Sequence, residues 1–493
     1  MTPEELPNIL LLHADQHRYD CLGAYGNSQI HTPHIDGIAR DGRIFTNSFS
    51  SYPVCTPSRY SLLCGQYVRQ HGGWNNRCTL APGIPTFPRI MGDAGYKTAA
   101  IGKMHFTPTY LDVGFQEMFL AEQDGPGRYD DDYHRRLMTH NLCDKVDLMD
   151  QVREYRQHAT PDYWEHFGAV PSDLDEQFYS TTWIAEKALE RLESWHNGGN
   201  LLMVGFIKPH HPFDPPIPWH KMYTPDDIPL LPGWIDKPLE RDINRNKGYF
   251  PHVSLTEQKL RRIMAYYYAT ITHIDHQIGR FVDCLKKQGL YKNTLIVYTS
   301  DHGDYMGFHH LILKGNYMYD PLIKVPLIIK FPGNALAGTI STHLVSNLDV
   351  APTLLRGVGI QPPATMQGLD LRNPRAHRDV IFAEGWAGNE IMARSKTHKL
   401  LFYSESERNQ FYYLDNDPYE LENRISESAV APELLLLREA MMEWALFSAH
   451  SHTYVDPKAP IIHGENVPVQ DDTHVQDTVS YFRGKMRSFT GPD

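Results

Sequence analysis

Residues 51–65 read Ser-Tyr-Pro-Val-Cys-Thr-Pro-Ser-Arg-Tyr-Ser-Leu-Leu-Cys-Gly. Pro57 suits the first turn of a helix, where a missing N–H costs nothing. Tyr60, Leu62 and Leu63 continue that helix, which puts Cys55 at its N-terminus. Arg59 follows one turn later on the same face. Free N–H groups and the positive end of the helix dipole stabilise negative charge at Cys55. This is a place to build a nucleophile. Elsewhere the chain offers Asp15, Gln16, Asp301 and His302, a mostly oxygen-donor set that suits a hard cation such as Ca²⁺, Mg²⁺ or Mn²⁺. Taken singly, each feature has a plainer reading: a buried Cys before an ordinary helix, a solvated turn, a surface charge.

The elements that must position these residues are legible as apolar runs. Asn8 to Ala14 reads as a buried strand that stops at Asp15-Gln16. Thr98 to Gly102 leads into Lys103-Met104-His105, and alternate residues of an extended segment share a face. Asn200 to Ile207 ends in Lys208-Pro209-His210-His211-Pro212-Phe213. Thr294 to Thr299 ends in Ser300-Asp301-His302-Gly303-Asp304, with Lys314 about a dozen residues on. Polar residues just beyond buried strands are where open α/β sheets place ligands. Val325 to Phe331 reads as a further strand. Phe178–Trp195, Leu255–Leu290 and a segment from Asp349 read as helices. Residues 106–175 are too long for a simple loop and read as short helices in a substrate-shaping insertion or a solvated charged face. Residues 214–252 read as surface loop.

Cys55-Thr56-Pro57-Ser58-Arg59 closely resembles the Cys-x-Pro-x-Arg motif of the formylglycine-dependent sulfatases, in the alkaline phosphatase superfamily. The resemblance covers most of the first 420 residues. It implies that an accessory formylglycine-generating enzyme oxidises Cys55, and that an oxygen of the hydrated aldehyde attacks sulfur. It implies one divalent cation, Ca²⁺ before Mg²⁺ or Mn²⁺, held by Asp15, Gln16, residue 55, Asp301 and His302. Arg59 would hold the diol, Lys103 and Lys314 would bind sulfuryl oxygens, His105 would stand beside the diol as a base, and His210 would face the leaving group as general acid. The substrate would be a small-molecule or carbohydrate sulfate ester. Gln16 departs from the family's commonest Asp-Asp pair. Asp-Gln resembles the phosphonate monoester hydrolase branch and some bacterial sulfatases, and Asn76 resembles an active-site asparagine of the phosphonate branch, which makes a phosphonate monoester or phosphodiester hydrolase the alternative. Lys103 and His105 speak against that branch. A non-catalytic anion binder with unmodified Cys55, or a phosphopentomutase-like transferase using Thr56, completes the alternatives.

The implied fold is α/β: a large mixed, mostly parallel sheet flanked by helices over residues 1–372. Residues 373–493 follow as a C-terminal part. There Val380–Glu384, Lys399–Tyr403 and Phe411–Leu414 read as consecutive strands of a small antiparallel sheet, followed by a helix around 432–448 and a tail of unassigned role from Ser451. The chain of 493 residues carries a formal charge of −12, which argues against nucleic acid. No apolar run approaches the length of a membrane span. The acidic Met1–Glu5 start has no leader character, so the chain as given reads as cytoplasmic, or as periplasmic or secreted if a leader was trimmed. Six scattered cysteines fit neither a disulfide framework nor a zinc site. Oligomerisation is left open.

Overall fold

The computed structural model describes residues 6–123, 129–245, 249–315, 317–448 and 472–490. Met1–Glu5, Arg128 and residues 451–471 of the tail lie outside the described residues, so the readings made on them stand as sequence readings only.

Eight strands form the main sheet: β1 (Asn8–Asp15), β2 (Arg43–Phe49), β3 (Lys97–Gly102), β4 (Glu117–Leu120), β5 (Asn200–Pro209), β6 (Thr294–Thr299), β7 (Leu327–Lys330) and β8 (Thr339–Ser346). Their order is β4-β3-β5-β1-β6-β7-β2-β8. Only β7 runs against its neighbours. β1 is central, with Leu10 opposite Leu202 of β5 and Ile296 of β6.

The two-residue period of a strand divides the core into two layers. Leu10, Leu12, Leu202, Val204 and Ile296 pack under the helices Ser180–Glu193 and Glu257–Lys287, against Ile184, Ile274 and Ile278. Ile9, Leu11, Leu201, Met203 and Val297 face Leu62 and Leu63 of the Cys55–Cys64 helix and Val350 and Leu354 of the Val350–Gly357 helix. Burial on both faces is why these strands read as unbroken apolar runs.

A second sheet, in the order β12-β11-β10-β9, is antiparallel: β9 (Ile381–Gly385), β10 (Glu390–Arg394), β11 (His398–Tyr403) and β12 (Gln410–Tyr413). Ile381, Ala383, Met392 and Leu401 pack on Tyr305, Phe308, Tyr319 and Leu322. The small sheet thereby backs the segment that follows β6. Its other face, with Phe382, Ala393, Leu400 and Phe411, lies under Leu434, Leu437 and Met441 of the Ala431–Ser448 helix.

The three C-terminal strands are not consecutive, because β10 lies between the first two. β2, β4 and β8 carry no clear signal in the sequence either: they mix Thr, Ser, Asn and charged residues, or are only four residues long. Residues 106–175 do fold as short helices, Asp132–Thr139, Lys145–Gln151, Arg153–Arg156 and Pro161–Glu165, together with β4. They are no solvated face. Asp131 is buried and caps its helix, accepting from His134 N at 2.9 Å. Residues 214–252 are likewise more than surface loop, since Ile228, Asp242, Phe250 and His252 are buried. The Asp472–Thr490 helix of the tail packs on the large part of the molecule, where Phe482 stacks on Tyr129 at 5.3 Å. All six cysteines are free. Among the described residues no helix is long and apolar enough to cross a membrane.

Candidate active site

β1, β2, β3, β5 and β6 run parallel, so their C-terminal ends open on one edge of the sheet. Each delivers one part of a single cluster there. Asp15 ends β1, the Cys55 segment follows β2, Lys103 follows β3, His210 follows β5, and Asp301-His302 follows β6.

The Cys55–Cys64 helix begins at Cys55, with Val54 extended before it and no side chain of its own as cap. Asn76 supplies the missing cap: its Oδ1 accepts from Thr56 N at 3.1 Å. Thr56 Oγ1 donates to the His105 carbonyl at 2.7 Å, which ties this helix to the loop after β3 and occupies the hydroxyl.

Cys55 Sγ lies 3.2 Å from His302 Nε2, 3.2 Å from Lys314 Nζ and 3.8 Å from Asp15 Oδ1. Burial, and then the Asp15 carboxylate, push the thiol up to about 12. Unmodified Cys55 is therefore a neutral thiol at physiological pH and a poor nucleophile.

Arg59 is buried with three contacts. Nη2 holds Asp15 Oδ2 at 2.9 Å, Nε holds Asp301 Oδ2 at 3.0 Å, and Nη1 donates to the Lys103 carbonyl at 2.7 Å. The guanidinium thus fixes the two carboxylates, whereas the sequence points it at residue 55. Lys103 Nζ adds a second cation on Asp15 Oδ2 at 2.8 Å. Lys103 can come so close because Gly102 and Gly205 face each other. A Cβ on Gly205 would stand 2.1 Å from the Lys103 carbonyl oxygen, and one on Gly102 2.1 Å from that of Gly205.

The four donors of Asp15, Cys55, Asp301 and His302 lie within 4.8 Å of one another, all buried. Against burial, Lys103, Arg59 and Lys314 hold the Asp15 carboxyl well below its ordinary value. Burial opposes ionisation of Asp301 too, and so does Asp15, yet Arg59 keeps it low. Gln16 sits in the left-handed region at φ 62, a conformation that costs a non-glycine residue about 1 kcal/mol or more. It is held there by its N–H on Asp301 Oδ1 at 3.1 Å and by Tyr267 OH on its carbonyl at 2.7 Å. Its Nε2 donates to Asp304 Oδ2 at 2.7 Å, and its Oε1 is buried with no hydrogen-bond partner. A buried amide oxygen with no hydrogen-bond partner among the described residues, on the residue next to Asp15 whose N–H is bonded to Asp301, joins the buried donors of Asp15, Cys55, Asp301 and His302 in a residue set that fits a hard divalent cation.

His210 Nδ1 donates to the His211 carbonyl at 2.7 Å, which leaves Nε2 to accept from Lys314 Nζ at 3.0 Å. Burial, and then Lys314, push His210 well below its ordinary value. In this resting state the proton lies on Lys314, so proton donation to a leaving group draws on the Lys314–His210 pair. His211 turns away, with Nδ1 on Asp150 Oδ1 at 2.5 Å.

His105 repeats the device seen at Gln16. Its φ is 56, its carbonyl accepts from Thr56, and its N–H donates to Glu122 Oε1 at 2.9 Å. Glu122 also accepts from Met104 N at 3.0 Å. Neither Glu122 nor its neighbour Gln123 stands out in the sequence. Both follow β4, a strand too short to announce itself, and the one available signal was that 106–175 is too long to be loop.

Burial pushes Glu122 from 4.5 up to about 7. The folded protein therefore binds this proton more tightly than the unfolded chain, and this contribution to stability falls as pH rises from about 4.5 through about 7. Glu122→Gln, which keeps an acceptor for both N–H groups, is expected to remove that slope, on the order of 1–3 kcal/mol across the window. Urea unfolding of both proteins from pH 5 to 8 checks this: parallel curves contradict it.

The sulfatase family model matches residues 7–360. That is well over half of the chain, and it spans every residue of the cluster. The chain belongs to the sulfatase family. A second model, for the C-terminal part of N-sulphoglucosamine sulphohydrolase, matches residues 307–445. The sulfatase is 31% identical over 471 residues to an arylsulfatase of Clostridium perfringens, covering 89% of this chain and 94% of that one. It is 26% identical over 481 residues to an N-acetylglucosamine-6-O-sulfatase of Bacteroides thetaiotaomicron, covering 89% and 86%. Among solved structures it superposes on a phosphonate monoester hydrolase of Agrobacterium radiobacter with a TM-score of 0.74 at 24% identity, covering 90% and 96%. These likenesses bear out the family and the α/β architecture with its small antiparallel sheet. The protein is an enzyme that hydrolyses sulfuric esters.

Proposed function

We propose that this sulfatase cleaves a carbohydrate or small-molecule sulfate monoester through formylglycine made from Cys55 by a formylglycine-generating enzyme, with one divalent cation, Ca²⁺ first. The observation that carries the reading is the place of Cys55. It is the first residue of a helix, within 3.2 Å of both His302 Nε2 and Lys314 Nζ, in a buried donor set built for a cation. The catalytic part is taken as 1–372 and the C-terminal part as 373–493. The kinship with the N-acetylglucosamine-6-O-sulfatase supports a sugar sulfate as substrate.

Asp15, Gln16, Asp301, His302 and residue 55 would hold the cation, which when bound would supply Lewis acidity and lower the pKa of a nearby hydroxyl. The chain's own residues do the rest. Among the side chains, Asp15 and Asp301 offset Arg59 and Lys103, so Lys314 and a bound divalent cation would be the surplus positive charge facing the sulfate monoanion. Lys103 and Lys314 neutralise sulfuryl oxygens as charge moves towards the leaving oxygen. One hydroxyl of the hydrated aldehyde attacks sulfur, the ester S–O bond breaks, and the Lys314–His210 pair gives the leaving oxygen its proton. His105 is the base for the second hydroxyl. Loss of that proton re-forms the aldehyde C=O and expels sulfate, so release needs no water attack on a stable ester.

Gln16 favours a second capacity. It brings no charge where a carboxylate would bring one, so the site does not strongly reject a dianion, and phosphate or phosphonate esters are expected to turn over measurably beside sulfates. Gln16→Asp adds a negative charge beside the reacting group and places it against Asp304, which burial already pushes up to about 6. The expected result is a shift of the kcat/KM ratio of aryl sulfate to aryl phosphate toward sulfate by about tenfold, on the order of 1–2 kcal/mol. A ratio that stays put, at matched metal content, means that geometry rather than charge sets selectivity. The broader test is a panel of matched sulfate, phosphate and phosphonate esters, with and without EDTA. Sulfates should lead and EDTA should silence all of them. A preference for phosphonates would replace this reading by the phosphonate hydrolase one.

A further inference from the structure

Gln123 lies just past β4 and is 1% exposed. Its Oε1 accepts from Lys103 Nζ at 3.3 Å. Its Nε2 donates to Asp147 Oδ1 at 2.6 Å and to the His211 carbonyl at 2.9 Å. The orientation of the amide follows from chemistry: an ammonium on one side requires the oxygen, and a carboxylate and a carbonyl on the other require the nitrogen. The His211 carbonyl is a junction. It takes Gln123 Nε2, Gln151 Nε2 at 3.0 Å and His210 Nδ1 at 2.7 Å. That last bond fixes the His210 tautomer and turns Nε2 to Lys314. Gln123 is therefore the one side chain in contact both with Lys103 and with the carbonyl that orients His210, as seen among the described residues.

We propose that Gln123 is a positioning residue that holds Lys103 and His210 in register, so that the grip on the sulfuryl group and the proton for the leaving group act on one substrate pose. The proposal rests on the roles given above to Lys103 and His210. Lys103 comes from the loop after β3 and His210 from the loop after β5. The Gln123 amide spans both. Gln123 belongs to the 106–175 insertion, and its partner Asp147, on the Lys145–Gln151 helix of the same insertion, braces it there, which gives that insertion a part in the chemistry. Gln151, from the same helix, supports the carbonyl too, but its amide nitrogen is otherwise engaged with Asp150 Oδ1 and His211 Nδ1 rather than with Lys103.

The test reads leaving-group dependence. 4-Nitrophenyl sulfate has a good leaving group and needs little proton donation, whereas phenyl sulfate needs more. Gln123→Leu is expected to lower kcat for phenyl sulfate roughly a hundredfold and for 4-nitrophenyl sulfate about tenfold, with KM raised severalfold for both. Gln151→Leu is expected to show the same selectivity between the substrates with KM unchanged. A merely structural role reduces the number of active molecules, so it lowers kcat for both substrates by one factor and leaves their ratio alone. An unchanged ratio in Gln123→Leu overturns the proposal. His210→Ala separates the two layers of the argument: if it lacks the selectivity, the acid assignment falls and the proposal with it. If it has the selectivity and Gln123→Leu does not, only the proposal falls. Should Gln123→Leu fail to fold, Asp147→Asn, which removes the carboxylate that orients the amide, is expected to move the ratio about threefold in the same direction. An unmoved ratio there overturns the proposal equally.

Discussion

Cys55→Ala is expected to lose at least about ten-thousandfold in kcat while keeping its fold, because a nucleophile is removed and almost no packing is. Cys55 is fully buried but small, and its loss leaves a cavity of one sulfur in an otherwise intact helix. Cys55→Ser is the sharper variant. A serine hydroxyl can attack sulfur, but it has no second hydroxyl on the same carbon. A sulfated serine should therefore accumulate to one equivalent with no further turnover. Intact-protein mass after mixing with 4-nitrophenyl sulfate checks this. Multiple turnovers by Cys55→Ser at near the wild-type rate would contradict a mechanism that needs the hydrated aldehyde.

The second large effect is on stability. Arg59 is buried between Asp15 and Asp301, with both carboxylates fully enclosed. Arg59→Leu leaves Asp301 without its guanidinium and Asp15 with Lys103 alone. Breaking a buried pair from one side costs about 3–5 kcal/mol, since a buried charge loses its counter-charge and gains no water in return. A divalent cation neutralises the same two carboxylates. The loss should accordingly be largest in EDTA and partly recovered in calcium. Denaturant unfolding of both proteins in each condition measures it. A loss under about 1 kcal/mol, or one independent of calcium, would mean that the carboxylates are satisfied some other way.

The sequence was legible where one physical signal dominated. β1, β5 and β6 are buried on both faces, so they read as apolar runs, and the polar residues beyond them could be named individually. Parallel strands then required those residues to meet at one edge, which the structure bears out for Asp15, Cys55, Asp301, His302, Lys314 and His210. β2 was hidden because a strand near the sheet edge carries Arg43, Thr46 and Asn47. β10 was hidden because Glu390 and Arg394 flank only three apolar residues.

The polar scaffold was the least legible part. Glu122, Gln123, Asp147 and Asp150 look like solvent-facing residues, yet each is buried; Glu122, Gln123 and Asp150 are bonded to loops that carry a site residue, and Asp147 to Gln123. Nothing in their spacing marks this, since their partners are dozens of residues away. Arg59 shows the same limit on a smaller scale. Its place one turn after Cys55 was readable, but its bonds to Asp15 and Asp301 depend on two other strands. Gln16 was readable as an odd ligand. That its nitrogen is held by Asp304, leaving the oxygen buried with no hydrogen-bond partner among the described residues, needed the fold.

The central claim is that residue 55 works as an aldehyde and not as a thiol. It is tested most directly by the mass of the peptide that contains residue 55, measured on several preparations whose sulfate-ester turnover is also measured, including preparations with and without a co-expressed formylglycine-generating enzyme. The account predicts a peptide with an aldehyde in place of the thiol, whose fraction rises with the generating enzyme and to which kcat per molecule is proportional through the origin. Full turnover by protein whose Cys55 is entirely thiol would contradict it.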